Sequence, residues 1–299
     1  MTTRWALPDL LLALVLAPLL AGVVSRVKAI VAGRHGAPLF QLYFDLLKLL
    51  RKGAVYSETT TWVFRAGPVV ALGASASALL LVPYAGKGAV VSFPVDFVLL
   101  AYLLALARFF TVSAALDTGS SFEGMGASRE VLFAALCEPT LLLGFLALAR
   151  KTGQLSVASI LGAASPLAPE VLLVAAALAV VLLCETGRVP IDDPTTHLEL
   201  TMIHEVMVLD HGGPELAFMQ YAASLRLWLW SALVVGLLAP FAASWPWLPA
   251  LPAVLGIFLL AIAVGLVESG IARARLVRVP HLLTAASALA ALAFILVLR

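Results

Sequence analysis

Three carboxylates stand inside or at the ends of long apolar runs: Glu138, Glu185 and Glu268. A charged acid at the centre of a bilayer costs about 2.5–3.5 kcal/mol even on a mild insertion scale, so such a residue faces protein, a partner or water, and often a proton path. Glu138 is the deepest of the three. Glu185 and Glu268 lie nearer the ends of their runs, with Arg188 and Arg273 close in sequence, so an ordinary ion pair is the other reading for each.

A second constellation is the stretch "CETGRVPIDDPTTHLELTMIHE" at residues 184–205, which gathers Glu185, Arg188, Asp192, Asp193, His197, Glu199, His204 and Glu205 in a chain only 12% charged. Glu185 and Arg188 are three apart, so a continuing helix would pair them on one face. Pro190 breaks that helix, and Asp193–Pro194 is a cap and first-turn combination that predicts a new helix reaching to about Leu209. On it His197, Thr201, His204 and Glu205 share a face. The pair His204–Glu205 opens an HExxH pattern, but position 208 is Val, so the zinc-protease motif fails. His197 and His204 have no third ligand in sequence, and no metal site is expected.

Composition dictates what positions these groups. A mean hydropathy of +1.05 and 62% hydrophobic residues over 299 positions describe an integral membrane protein, since soluble domains carry roughly 45–50% apolar residues. Apolar runs at 8–30, 66–83, 93–115, 131–149, 169–184, 225–241, 253–267 and 282–298 are near the ~20 residues a helix needs to cross a bilayer. They lack the alternation of barrel strands. The expected fold is therefore an all-α integral membrane protein of about eight transmembrane helices, one polytopic domain over 1–299. The first run is no signal peptide, because Arg26 and Lys28 follow it.

With the N-terminus outside, all but five of the 19 Lys and Arg residues fall on the inner side, the exceptions being Arg4, Lys87, Arg150, Lys151 and Arg299. The positive-inside rule then puts both termini on the outer, periplasmic side of a prokaryotic inner membrane. The long cytoplasmic loops lie at about 31–65, 116–130, 185–224 and 268–281, and function carried by loops belongs on that face. Outside, Trp245 and Trp247 suit the headgroup zone.

In the first inner loop, Gln41, Asp45, Lys48 and Lys52 recur at helical spacing among leucines and Phe44. That pattern reads as an amphipathic interfacial helix, or else a packed cytoplasmic one. In the second, "LDTGSSFEGMGASRE" clusters turn residues around Asp117 and Glu123, with Ser128 placed to cap a helix opening at Arg129. Its glycine spacing is not that of a phosphate loop. Nothing points to nucleic acid. Cys137 and Cys184 read as small buried hydrophobes, and two thiols cannot hold an iron–sulfur cluster. No internal repeat is visible, which lowers the reading of a free-standing proton or cation carrier.

Three collinear stretches carry a resemblance: "GRHGAPLFQLYFDLLKLLRK", "ALDTGSSFEGMGASRE" with the following "CEPTLLLG", and "ETGRVPIDDPTTHLELT". Together they resemble the subunit 1 family of respiratory complex I over nearly the whole chain. The nearest branch is the membrane anchor of group 4 energy-converting hydrogenases, which includes the hydrogenase 4 and formate hydrogenlyase complexes. The resemblance implies a non-catalytic subunit that binds no cofactor itself. Its partners would be a hydrophilic NiFe hydrogenase large subunit, an iron–sulfur small subunit, a ferredoxin-like subunit, antiporter-like membrane subunits and the lipid bilayer. Iron–sulfur clusters and the NiFe centre would sit in those partners.

On that pattern Glu138, Glu185 and Glu268 form a proton path. Arg188, Asp192, Asp193, His197, Glu199, His204 and Glu205 form a coupling loop, and Arg34, Asp45, Lys48, Arg51, Asp117, Glu123 and Arg129 dock the arm. The quinone-reducing branch has acids where this chain has Thr195 and His197. That difference favours the hydrogenase branch over a quinone-site subunit of a complex I-like dehydrogenase.

Overall fold

The computed structural model describes residues 6–83, 88–192, 202–239, 250–272 and 274–299. Among these, every regular element is helical: α1 (Ala6–Val31), α2 (Gln41–Leu50), α3 (Trp62–Leu79), α4 (Asp96–Asp117), α5 (Ser121–Thr152), α6 (Val157–Ala163), α7 (Pro169–Glu185), α8 (Gly213–Leu238), α9 (Leu251–Gly270) and α10 (Val279–Leu298). The all-α membrane class is thereby established. Seven helices, α1, α3, α4, α5, α8, α9 and α10 extended by its leading turn, are long and apolar enough to cross a membrane. The fifth apolar run forms α7, whose 17 residues stand at the short end of the range for a span.

α8 is the hub. It packs against α1, α2, α3, α6, α7 and α9 and buries Trp228 and Trp230 completely. The pairs α3–α4, α5–α10 and α1–α9 pack closely beside one another. Prolines inside α1 and α5 open the ladder where side chains can use it, because proline has no N–H and frees the carbonyl four residues before it. In α1, Pro18 leaves the Leu14 carbonyl to accept from the Tyr221 hydroxyl of α8 at 2.9 Å. The Tyr43 hydroxyl of α2 donates to the neighbouring Val15 carbonyl.

Three local expectations are corrected. α5 begins at Ser121, well before Arg129, and Ser128 lies inside it with its hydroxyl on the Met125 carbonyl. Of the glycines in that stretch, Gly119 does mark a turn, with a left-handed φ of 71° between α4 and α5, whereas Gly124 and Gly126 lie inside α5 and Gly126 serves packing. A Cβ on Gly126 would collide with Val206 Cγ1 and lie 2.9 Å from the Ile203 carbonyl oxygen. Close approach of another chain segment outweighs the helix cost of glycine, about 1 kcal/mol. The helix expected up to Leu209 is, over 202–209, only a 3₁₀ turn at Val206–Val208; its first part, with Asp193, His197, Glu199 and Thr201, lies outside the described residues, as do Arg273, Trp245 and Trp247.

The third correction concerns Glu185 and Arg188. α7 ends at Glu185, and Gly187 takes a left-handed φ of 60° that turns the chain aside. The two residues consequently leave on different courses, and each finds a partner on another helix.

α2 lies across α8 and α1. Gln41 donates to Asp45 at 2.9 Å on its half-buried side, while Phe40, Phe44, Leu47 and Leu50 form an exposed apolar stripe. Such a stripe fits a helix lying in the membrane interface.

Candidate functional site: a buried arginine and a charged cavity

One guanidinium organises the site. Arg108, on α4, meets carboxylates from two other helices: Nε donates to Glu130 Oε1 at 3.2 Å and Nη1 to Glu138 Oε1 at 2.8 Å, both on α5, and Nη2 donates to Glu185 on α7. Arg108, Glu130 and Glu185 are buried; the Glu138 side chain keeps 44% of its surface exposed. Five donors in a rigid fork let one arginine hold several carboxylates, which a lysine could not arrange in the same way. Glu138 sits just before Pro139, where the ladder is already interrupted. One turn away the Leu136 carbonyl accepts from the hydroxyls of Thr140 and Ser287, tying α10 to this point of α5.

His204 extends the cluster. Its Nε2 is 3.3 Å from Glu130 Oε2 and its Nδ1 is 3.5 Å from Asp192 Oδ2. The same Asp192 oxygen accepts the backbone N–H groups of Ile203 and His204 at 3.2 and 3.1 Å, so one carboxylate clasps the segment after the polar stretch. Burial opposes the imidazolium, but Glu130 and Asp192 outweigh it and raise the pKa of His204 above its ordinary value. Burial likewise opposes the Asp192 anion, and the bonds from His204 and the two N–H groups outweigh it, lowering its pKa.

Beside this cluster opens a cavity of about 650 Å³, walled by Glu130, Glu185, Arg188, Asp192, His204 and Arg226 among others. Glu205, at its rim, is exposed. His211 also lines it, stacked on Phe64 with centroids 3.9 Å apart, its Nδ1 3.4 Å from Glu215. Burial depresses the pKa of His211 despite Glu215.

Glu268 belongs to a second cluster. Its side chain has no exposed surface and bridges Lys28 of α1 at 2.8 Å and Arg188 at 3.5 Å. Glu138, Glu185 and Glu268 are therefore each paired, with Arg108, Arg108 and Lys28 plus Arg188. The residues expected to form a proton path fall into two groups: Glu138 and Glu185 share one arginine, and Glu268 stands with another.

Of the docking candidates, Arg34, Lys48 and Arg51 are exposed. Asp117 instead caps α3, accepting from the Thr61 and Phe64 N–H groups at 2.6 and 3.2 Å. Buried Glu123 accepts the Asp210 N–H at 3.1 Å, and Arg129 donates to the Met202 carbonyl at 3.1 Å. No group of three or more His, Cys, Asp or Glu residues suited to a metal occurs among the described residues.

Sequence reasoning missed Arg108, Glu130, Arg226 and Lys28 as site residues. A signal existed for the arginines: Arg108 and Arg226 interrupt apolar runs, and the insertion cost that singles out a buried acid applies equally to a buried cation.

An α-helical bundle with seven candidate spans among the described residues, and a charged cavity beside a buried Arg–Glu cluster, defines a polytopic membrane protein. The chain belongs to the NADH dehydrogenase family of the complex I subunit 1 type, whose family model matches residues 7–299. It is 31% identical over 305 residues to formate hydrogenlyase subunit 4 of Escherichia coli (strain K12), covering 99% of this chain and 98% of that protein. It is also 31% identical over 309 residues to hydrogenase-4 component C of the same organism, covering 97% and 94%. A chain in the structure of the membrane-bound sulfane sulfur reductase, an archaeal respiratory membrane complex, superposes with a TM-score of 0.84 at 22% identity over 98% of both chains, which shows a shared fold.

Proposed function

We propose that this chain is the membrane anchor of a complex I-like energy-converting complex of the hydrogenase 4 or formate hydrogenlyase type. The exposed Arg34, Lys48 and Arg51 and the 202–211 segment receive a hydrophilic arm on the cytoplasmic side. Partner subunits carry the iron–sulfur clusters and the NiFe centre. Redox chemistry there is coupled to proton movement through this chain.

The observation that carries the reading is the shared arginine. Arg108 links Glu185, on the cavity wall, to Glu138, whose carboxylate reaches the bundle surface. A cavity of this size with charged side chains on its wall takes water, and its buried His211 Nε2, Gln220 Oε1 and Arg188 Nε have no hydrogen-bond partner among the described residues. Water and carboxylates together supply the stations that a charge needs, since moving one charge against 100 mV takes about 2.3 kcal/mol. A carboxylate exposed within a span must be covered by water or by another subunit, which makes Glu138 the hand-over point to an antiporter-like neighbour.

A second reading rests on the cavity volume, which falls within the ~300–1,000 Å³ of small-molecule sites: a quinone pocket in a dehydrogenase arm. The carboxylates of Glu130, Glu185 and Asp192 among its lining residues speak against it. Purifying the tagged chain in gentle detergent, identifying what co-elutes by mass spectrometry and assaying hydrogen evolution separates the two. A NiFe large subunit with activity is expected; a quinone-reducing partner set with bound quinone would overturn the anchor reading.

A further inference from the structure

Glu185 stands at a divide. It lines the large cavity and also the small pocket formed by Glu138, Leu141, Val181 and Trp230. Its Oε1 rests on Arg108. Glu130 has both oxygens engaged, one on Arg108 and one on His204, and is thereby fixed in place. Glu138 borders the small pocket and the bundle surface but not the large cavity. Of the three carboxylates on Arg108, Glu185 alone borders both spaces and has an oxygen left over.

Across the same cavity lining stands Arg226 of α8, which makes no hydrogen bond or ion pair with the described residues and whose Nε is buried without a partner. The charged groups whose fields reach it are Glu130 of α5, Glu185 of α7 and Arg108 of α4. One arginine is thus overloaded with three carboxylates while a second, within their field, holds none among the described residues. Arg226 is half-buried with its Nε out of contact with water, and a guanidinium taken from water is destabilised unless paired, so the fold contains an acceptor site for a carboxylate already present in it.

We propose that the Glu185 carboxylate exchanges between Arg108 and Arg226, acting as a swinging gate between the cavity and the Glu138 pocket. The inference rests on the proton-path reading above. Facing Arg226, the carboxylate takes a proton from a hydronium ion in the cavity: an O–H bond forms on Glu185 and water is left behind. Neutral, it lets go of Arg226 and returns to Arg108. There its O–H bond breaks as the Glu138 carboxylate takes the proton, and Glu185 is again an anion. Protons balance, and no electron is exchanged.

The assembled complex, reconstituted in sealed liposomes and driven by reduced methyl viologen, gives the ratio of protons moved (a trapped pH dye) to hydrogen evolved. Arg226→Gln is expected to lower that ratio at least tenfold, and Arg226→Lys to restore at least half of it with a shifted pH profile. A wild-type complex that moves no protons would overturn the proton-path reading itself. A wild type that moves them, with Arg226→Gln matching its ratio and pH profile, would overturn the exchange alone. If Arg226→Gln fails to assemble, structures of the wild type at rest and in turnover decide. Glu185 within hydrogen-bond reach of Arg226 in one state is expected, and Glu185 on Arg108 in both refutes the proposal.

Discussion

Arg108 Nη1 lies 2.8 Å from Glu138 Oε1, joining a buried cation of α4 to a carboxylate of α5 that still meets the surface of the bundle. Both residues interrupt apolar runs, and neither would be tolerated there alone. Arg108→Met strands Glu130, Glu138 and Glu185 without their shared partner. Breaking a buried ion pair from one side costs about 3–5 kcal/mol, so the variant should show a large fall in thermal stability in detergent. Arg108→Lys, with one point charge in place of the fork, should fall between it and the wild type.

The His204–Asp192 clasp predicts a stability optimum set by two opposite shifts. His204 has a raised pKa, so its contribution is complete below the ordinary histidine value and is lost as pH rises through the raised one. Asp192 has a lowered pKa, so its contribution is present above the ordinary aspartate value and disappears as pH falls through the lowered one. Hydrogen exchange of residues 202–211 followed against pH should be slowest between those limits. His204→Gln should remove the alkaline dependence and leave the acid one; an unchanged alkaline limb would contradict the clasp.

Gly126 is a packing glycine. In Gly126→Val the new side chain enters the space of Val206 and the Ile203 carbonyl, and overpacking of this kind costs about 1–3 kcal/mol. The expected result is a lower melting temperature with faster exchange in the 202–208 segment. Gly124→Ala, a position with far more room, should be neutral or mildly stabilising by the same measurement.

Asp117 takes the cap position of α3 from across the chain, beside the Thr61 hydroxyl that accepts the Val63 N–H at 3.2 Å. Asp117→Ala should cost on the order of 1 kcal/mol, the usual worth of such a cap. The loss should be read as a lower unfolding midpoint together with fraying at the start of α3, and unchanged protection at Thr61–Phe64 would argue against it.

Eight apolar runs reported the membrane bundle because about 20 apolar residues have few other uses. The three acids were visible for the same reason, as costly exceptions within those runs. Their partners are not legible there, because Arg108, Lys28 and Arg188 reach their carboxylates from other elements and not from neighbouring positions. Gly187 diverts the chain after Glu185 and so defeats the i,i+3 pairing with Arg188. The start of α5 was misplaced because Gly124 and Gly126 read as turn residues; only the chain packed against Gly126 explains a glycine there. Asp96, at the start of α4, is fully buried and accepts the Val157 N–H at 2.7 Å, a partner 61 positions away that the sequence does not disclose.

On the proposed path, protons leave the cavity through Glu185 and Glu138, whose carboxylates share Arg108. Its most direct test is the ratio of protons moved to hydrogen evolved for Glu138→Gln in the assembled complex, reconstituted in liposomes and compared with the wild type. Glutamine keeps the size and a hydrogen bond to Arg108 but cannot carry a proton. A ratio reduced at least tenfold, in a complex that still assembles with its arm, is the predicted result. A Glu138→Gln complex that moves as many protons per hydrogen as the wild type would contradict it.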